Sequence, residues 1–248
     1  VPGDAYDRYI GRYSRELAPR FIDFAGLDRG PVLDLGCGPG GLSLALASRL
    51  GAQAVAAVDP SESFVAACRA RVPGADIRLA RAEALPFAPA TFEGLLAQLV
   101  LSFLSDATRA MAEAMRVVRP GGTVAACMFA SDGLAVSATF WRAALRFDPA
   151  APDDAHLPFR KEEELLELFR SAGLRDVASG RIDLEARYAD FDDLWAPIAL
   201  GVGPTGDYLL RQPEERRAEI RDECREILGR PSGAFTLPAR VLAVRGRT

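Results

Sequence analysis

The chain is 248 residues long, enough for one large or two small domains, and its 49% hydrophobic and 26% charged residues describe a globular protein able to bury its own core. No apolar run approaches the ~20 residues of a membrane helix, and the opening segment mixes charged and apolar groups without a secretory apolar core. With a net charge of −4 there is no basic stripe for a nucleic-acid backbone, so a cytoplasmic protein without membrane span or nucleic-acid partner is expected.

From residue 31 to about 130, short apolar runs alternate with helical patterns, as in a parallel sheet covered by helices. Pro31 to Leu35 is predicted as the first strand. A helix with Leu42, Ala45, Leu46 and Leu50 inward then stops at Gly51. Ala54 to Val58 follows as the second strand. Ser61 is placed to cap a helix carrying Phe64, Val65, Cys68 and Val72, and Pro73-Gly74 turns the chain into a third strand, Asp76 to Ala80. Phe92 to Val100 is nearly all apolar, as suits a strand covered on both faces. Asp106 caps a helix with Met111, Ala114, Met115 and Val118 inward, and Pro120-Gly121-Gly122 breaks it before a fifth strand, Thr123 to Phe129. Residues 131 to 160 read as irregular. Beyond them come a helix over Glu162 to Ala172 stopped by Gly173, a strand over Val177 to Tyr188, and a helical stretch with Trp195. Gly201-Val202-Gly203-Pro204-Thr205-Gly206 reads as a hinge or lid, or equally as a passive turn, before a charged helix from Pro213 to Leu228 and a last strand, Phe235 to Arg245. There are no internal repeats.

The strongest local signal is Val32-Leu33-Asp34-Leu35-Gly36-Cys37-Gly38-Pro39-Gly40-Gly41, a strand running into glycines and then a helix. Glycines there let the backbone turn tightly and approach a ligand. Gly36, Gly38 and Gly41 also satisfy the dinucleotide spacing, with Asp59 at the end of the second strand as the acid for a ribose, so the glycines alone leave the ligand open. Asp34 argues against a pyrophosphate, which its carboxylate would repel, and for a ligand bearing an ammonium group.

These residues resemble the class I S-adenosylmethionine-dependent methyltransferases, in the small-molecule branch that includes the ubiquinone and menaquinone C-methyltransferases. The resemblance rests on the glycine loop, Asp59-Pro60-Ser61, Ala82-Glu83-Ala84-Leu85-Pro86-Phe87 and Arg116-Val117-Val118-Arg119-Pro120-Gly121-Gly122, covering residues 31 to 130. It implies an α/β, Rossmann-like, doubly wound and mostly parallel seven-stranded sheet with helices on both faces and an antiparallel last strand. One domain would comprise N-terminal lid helices (1–30), a cofactor-binding half (31–130) and an acceptor-side half with an inserted lid (131–248). The implied cofactor is S-adenosylmethionine, leaving as S-adenosylhomocysteine. Gly36, Cys37 and Gly38 would wrap its methionine and ribose, with Asp59, followed by Pro60, on the ribose diol. Ala82 would offer its N–H to the adenine, and the Gln98 carbonyl would take the ammonium. Arg81 stands where many relatives have an acid for the adenine amino group, which shifts that contact to Glu83 or a backbone carbonyl. Tyr6 to Ser14 resembles the lid of these enzymes, with Arg12 or Tyr13 as partner for the methionine carboxylate.

Methyl displacement asks mainly for alignment and exclusion of water, so no triad is expected. Where the acceptor has a proton to lose, His156 is the one side chain with a suitable ordinary pKa, and it is the only histidine. The single histidine excludes a zincin motif, the one lysine (Lys161) argues against a Schiff-base or P-loop lysine, and Cys37, Cys68, Cys127 and Cys224, far apart without a Cys-x-x-Cys, argue against a zinc knuckle, a redox pair or a disulfide framework and read as buried reduced thiols. The acceptor pocket is expected from Phe129, Phe140, Trp141, Trp195 and Tyr208. A nicotinamide-dependent oxidoreductase and a non-catalytic S-adenosylmethionine-binding protein remain as alternatives. The acceptor, the methylated atom and the oligomeric state are open.

Overall fold

A computed structural model describes residues 7–154 and 157–248. The strands are β1 (Val32–Leu35), β2 (Val55–Asp59), β3 (Asp76–Leu79), β4 (Phe92–Gln98), β5 (Val118–Leu134), β6 (Arg175–Tyr188) and β7 (Phe235–Arg247). The helices are α1 (Gly11–Ala25), α2 (Gly41–Leu50), α3 (Glu62–Arg71), α4 (Ala107–Val117), α5 (Ala135–Phe147), α6 (Glu162–Ser171), α7 (Phe191–Ala199), α8 (Gly203–Leu210) and α9 (Glu214–Ile227). The strands form one seven-stranded sheet in the order β3-β2-β1-β4-β5-β7-β6. The pairs from β3 to β5 are parallel. Thr248 pairs with Gly121 and Gly122 at one end of β5, while Arg240 lies beside Asp132 at the other, the register of an antiparallel pair.

The residues fall into two compact units. The sheet unit comprises 14–129, 158–182 and 241–248; the helical unit comprises 7–13, 130–157 and 183–240 among the described residues. In the sheet unit, alternation along β2 sends Ala56 and Val58 to one face and Ala57 to the other. The first face packs Leu33, Leu35, Leu95 and Val124 against Met111 and Ala114 of α4 and Leu165 and Phe169 of α6. Each fully buried Leu or Phe there contributes roughly 1.5 to 3 kcal/mol. On the second face Ala57 and Ile77 meet Val65, Cys68 and Val72.

The predicted caps are made: Ser61 Oγ accepts the Phe64 N–H at 3.4 Å and Asp106 Oδ1 accepts the Arg109 N–H at 2.9 Å. Three expectations need correction. The stretch 131–160 is not irregular throughout, because β5 continues to Leu134 and α5 follows at once. Its buried Val136, Phe140, Trp141, Ala143 and Ala144 recur at helical spacing, a period masked by the flanking Pro and Asp residues. Pro120-Gly121-Gly122 is a bulge within β5, since Phe92 pairs with Val118 but Gly94 pairs with Thr123. Gly201 to Gly206 is no flexible lid. The α8 helix starts at Gly203, and a Cβ at Gly206 would sit 2.4 Å from the Gly201 carbonyl carbon, so these glycines serve close packing. No described helix is long and apolar enough to cross a membrane.

Candidate ligand site at the ends of β1, β2 and β4

In the sheet unit β1 lies between β2 and β4, so the chain reverses its winding there, and the carboxyl ends of strands at such a switch point are where open α/β sheets bind ligands. The glycine loop leaves β1 at this point. Its Gly36 and Cys37 N–H groups donate to the Val58 carbonyl at 2.8 and 3.0 Å, fastening it to the end of β2. Gly36 has φ +71°, and a Cβ there would lie 2.6 Å from Val100 Cγ2. Gly38, at φ +53°, borders open space: a Cβ would meet nothing within 4 Å. One glycine is required by close approach, the other by a left-handed turn that borders open space.

Asp59 ends β2 and spans the loop. Its Oδ2 accepts the Gly38 N–H and its Oδ1 the Ser61 N–H, both at 2.9 Å. Burial raises its pKa and these two bonds partly offset the rise. Each oxygen keeps a lone pair for a further donor. Pro60 follows as the turn residue. Gln98 closes β4, and its Oε1 is buried without a hydrogen-bond partner, an acceptor available to a ligand donor. Leu99 next to it takes φ +62°, which swings Val100 over Gly36.

Asp34 is placed otherwise than its motif suggests. It is 1% exposed, and Ser43 Oγ of α2 donates to its Oδ2 at 2.6 Å. Burial pushes its pKa up to about 7, and the nearby Asp59 adds to the rise. Its carboxyl is therefore an internal tie between β1 and α2, and its field reaches a ligand only through the loop. The repulsion argument against a pyrophosphate loses most of its force.

The loop after β3 is held by α4. Leu85 N–H donates to Glu113 Oε2 at 2.7 Å, and Arg116 donates to the carbonyls of Leu85 and Phe87 at 3.0 and 2.7 Å. Ala82 is buried at the head of this loop. Glu83 points the other way: its Oε1 accepts from Ser105 N, Ser105 Oγ and Asp106 N at 3.0, 2.7 and 3.3 Å. Burial alone would raise its carboxyl, but the Ser105 hydroxyl and the backbone donors hold it below the usual range. Glu83 is thus a brace for the start of α4, as is Arg81, which donates to Ser105 Oγ at 2.8 Å. The expected Glu83 contact to an adenine amino group gives way to this bracing. Ser43 and Glu113 were not singled out from the sequence, and Arg116 only as the first residue of a matching stretch; the Glu113 to Arg116 spacing of one helical turn is the signal that the pair acts together.

The helical unit assigns different work to the other candidates. Arg12 grips Asp193 with both arms, at 3.1 and 3.0 Å, bonds the Arg8 and Arg187 carbonyls, and lies over the Tyr188 ring at 4.4 Å. Tyr13 is fully buried with its hydroxyl 3.0 Å from that of Tyr188. These two side chains anchor the first helix rather than present themselves to a ligand, because a fork and a hydroxyl already paired in the interior have little left to offer. Phe140, Trp141, Trp195 and Tyr208 do come together: Phe140 lies 5.2, 6.3 and 6.2 Å from the other three ring centroids. All four are buried, Tyr208 donates to Asp148 Oδ2 at 2.9 Å, and Trp141 Nε1 has no hydrogen-bond partner. Phe129 belongs to the sheet unit, where its carbonyl accepts from Arg160 Nε at 3.2 Å. His156 lies outside the described residues.

Comparison with known proteins bears on this site. Residues 33–126 match the family described as "Methyltransferase domain". The chain is 34% identical over 153 residues to 2-methyl-6-phytyl-1,4-hydroquinone methyltransferase 2, chloroplastic, of Oryza sativa subsp. japonica, covering 61% of this chain and 40% of that protein. It thus spans well under half the length of that relative. Malonyl-[acyl-carrier protein] O-methyltransferase of Geobacter sulfurreducens is 29% identical over 247 residues, covering 97% of this chain and 92% of that one. Among solved structures, a proposed type II methyltransferase from Anaeromyxobacter dehalogenans superposes with a TM-score of 0.66 at 26% identity, covering 94% of this chain and 95% of the other.

Proposed function

We propose that the chain is a class I S-adenosylmethionine-dependent methyltransferase that delivers the methyl group to a small-molecule acceptor by in-line displacement, with the ends of β1, β2 and β4 holding the donor. The observation that carries this placement is the Asp59 carboxylate bonded to the Gly38 N–H, where a Cβ on Gly38 would meet only open space. S-adenosylmethionine supplies a sulfonium methyl that is already an electrophile. Asp59, with one lone pair free on each oxygen, receives the ribose hydroxyls; Gly36, Cys37 and Gly38 line the sugar and methionine portion; Ala82 offers its N–H to the adenine. The buried, unpartnered Gln98 Oε1 stands with the Gln98 carbonyl as acceptor for the ammonium group. The family match over residues 33–126 supports this reading over the dehydrogenase one.

The aromatic cluster of Phe140, Trp141, Trp195 and Tyr208 supports an apolar or ring-bearing small molecule as the acceptor. The phytyl-hydroquinone acceptor in one relative's name is of that kind. Alignment and water exclusion supply most of the rate, up to roughly 7 to 11 kcal/mol for well-oriented pairs. His156 is the base for an acceptor that must lose a proton. Calorimetric titration with S-adenosylmethionine, S-adenosylhomocysteine and NAD tests the donor site: micromolar binding of the first two, about 8 kcal/mol, is the expected result. Tight NAD binding without response to S-adenosylmethionine overturns it. Release of S-adenosylhomocysteine across a panel of hydroquinones, phenols and carboxylic acids identifies the acceptor.

A further inference from the structure

We propose that Cys37 and Cys68 form a reversible disulfide, a modification site inside the glycine loop that weakens donor binding when oxidised. The effect on binding rests on the donor reading above; the disulfide itself does not. Both residues carry free thiols and share one packed cluster with Ala57, Val65, Val72 and Ile77. Gly40 fixes their approach from both sides. Its N–H donates to the Cys37 carbonyl at 3.0 Å, and a Cβ on it would lie 2.8 Å from Cys68 Sγ and 3.2 Å from Cys68 Cα. Only a glycine lets the loop settle on α3 this closely, and the two sulfurs end within hydrogen-bond reach of each other.

The two thiols differ. The hydrogen bond to Cys68 and burial push the Cys37 thiol up, whereas the Cys37 hydrogen bond holds the Cys68 thiol down, helped by Ser43. Cys68 is wholly buried; Cys37 is 6% exposed and next to Gly38, which borders open space. Exposure therefore puts entry at Cys37, and Cys68, the more readily deprotonated thiol, serves as the resolving nucleophile. With hydrogen peroxide as oxidant, the Cys37 sulfur gives an electron pair to one peroxide oxygen. The O–O bond breaks, the thiol proton leaves with the other oxygen as water, and a sulfenic acid remains. Cys68 attacks that sulfur, the S–S bond forms, the S–O bond breaks, and hydroxide leaves with the Cys68 proton as a second water. Two thiols are oxidised by two electrons and one peroxide is reduced to two waters. The bond draws Cys37 toward α3 between two left-handed glycines, Gly36 and Gly38, and so disturbs the Gly38 to Asp59 hydrogen bond that shapes the loop.

The test uses the full chain, treated with hydrogen peroxide or diamide, quenched and digested with trypsin. Mass spectrometry should find the peptide 30–49 joined to 50–69, and dithiothreitol should part them. S-adenosylhomocysteine affinity should fall at least tenfold on oxidation and return on reduction, and prior saturation with that ligand should slow the linkage. Cys68→Ser should bind as the reduced wild type does and keep its affinity after diamide. Absence of the 30–49 to 50–69 link overturns the proposal, as does a link that leaves affinity unchanged, or equal loss in Cys68→Ser. Should the reduced protein fail to bind S-adenosylhomocysteine, the donor reading fails, while the peptide link still decides the disulfide.

Discussion

The carboxylate of Asp59 holds the N–H of Gly38 at 2.9 Å across 21 residues of sequence, so the tip of β2 dictates the shape of the loop after β1. One side chain thus sets the turn and lines the proposed donor site. Asp59→Ala should weaken S-adenosylmethionine by roughly 1.5 to 3 kcal/mol, the usual range for a charged hydrogen-bond partner. Asp76→Ala, which removes only the exposed pair with Arg78, serves as control. Calorimetry giving equal losses for the two variants would reduce Asp59 to a turn residue.

The two loop glycines should fail differently. Gly36→Ala meets both a left-handed φ and Val100 at 2.6 Å, so it should lower the melting temperature, with a cost of about 2 to 4 kcal/mol from strain and overpacking together. Gly38→Ala meets open space, so it should cost only about 1 to 2 kcal/mol of backbone strain yet reduce S-adenosylhomocysteine affinity more than tenfold by placing a methyl group where the ligand is proposed to lie. Thermal melts and titrations on the pair decide it, and retained affinity in Gly38→Ala would place the ligand elsewhere.

Asp34 makes stability depend on pH. Its folded pKa is pushed up to about 7, whereas an unfolded aspartate titrates near ~3.9, so between these values the folded state holds a proton the unfolded state has lost. Stability must therefore fall as pH rises through that window, by up to about 1.4 kcal/mol per unit from this group, and level off above it. Asp34→Asn should flatten the slope between pH 5 and 7 in denaturant titrations. An unchanged slope would show that Asp34 is ionised in the fold at these pH values.

Arg12 should prove to be an anchor. Arg12→Ala removes a two-armed pair with Asp193 and two carbonyl bonds, at a cost of about 1.5 to 3 kcal/mol in stability, with little change in S-adenosylmethionine affinity for the folded protein. Asp193 is held below the usual carboxylate range mainly by Arg12, so this contribution is present above ~pH 4 and is lost as pH falls through the lowered pKa. A large drop in affinity at wild-type stability would instead make Arg12 a ligand for the methionine carboxylate.

The order of strands and helices from β1 to α4, their caps and the glycine loop were legible in the linear sequence, because period, capping residues and a turn-forming glycine run act within a few residues of each other. So was the identity of Asp59, whose motif lies in one short stretch. The direction in which side chains are spent was decided by tertiary packing. Asp34 turns into α2 because Ser43, nine residues on, offers a donor in a buried site. Glu83 braces Ser105, and Arg12 meets Asp193 across 181 residues. A charged group left unpaired in the interior costs more than most contacts return, so the partner that folding brings near takes it, and spacing along the chain carries no record of that partner.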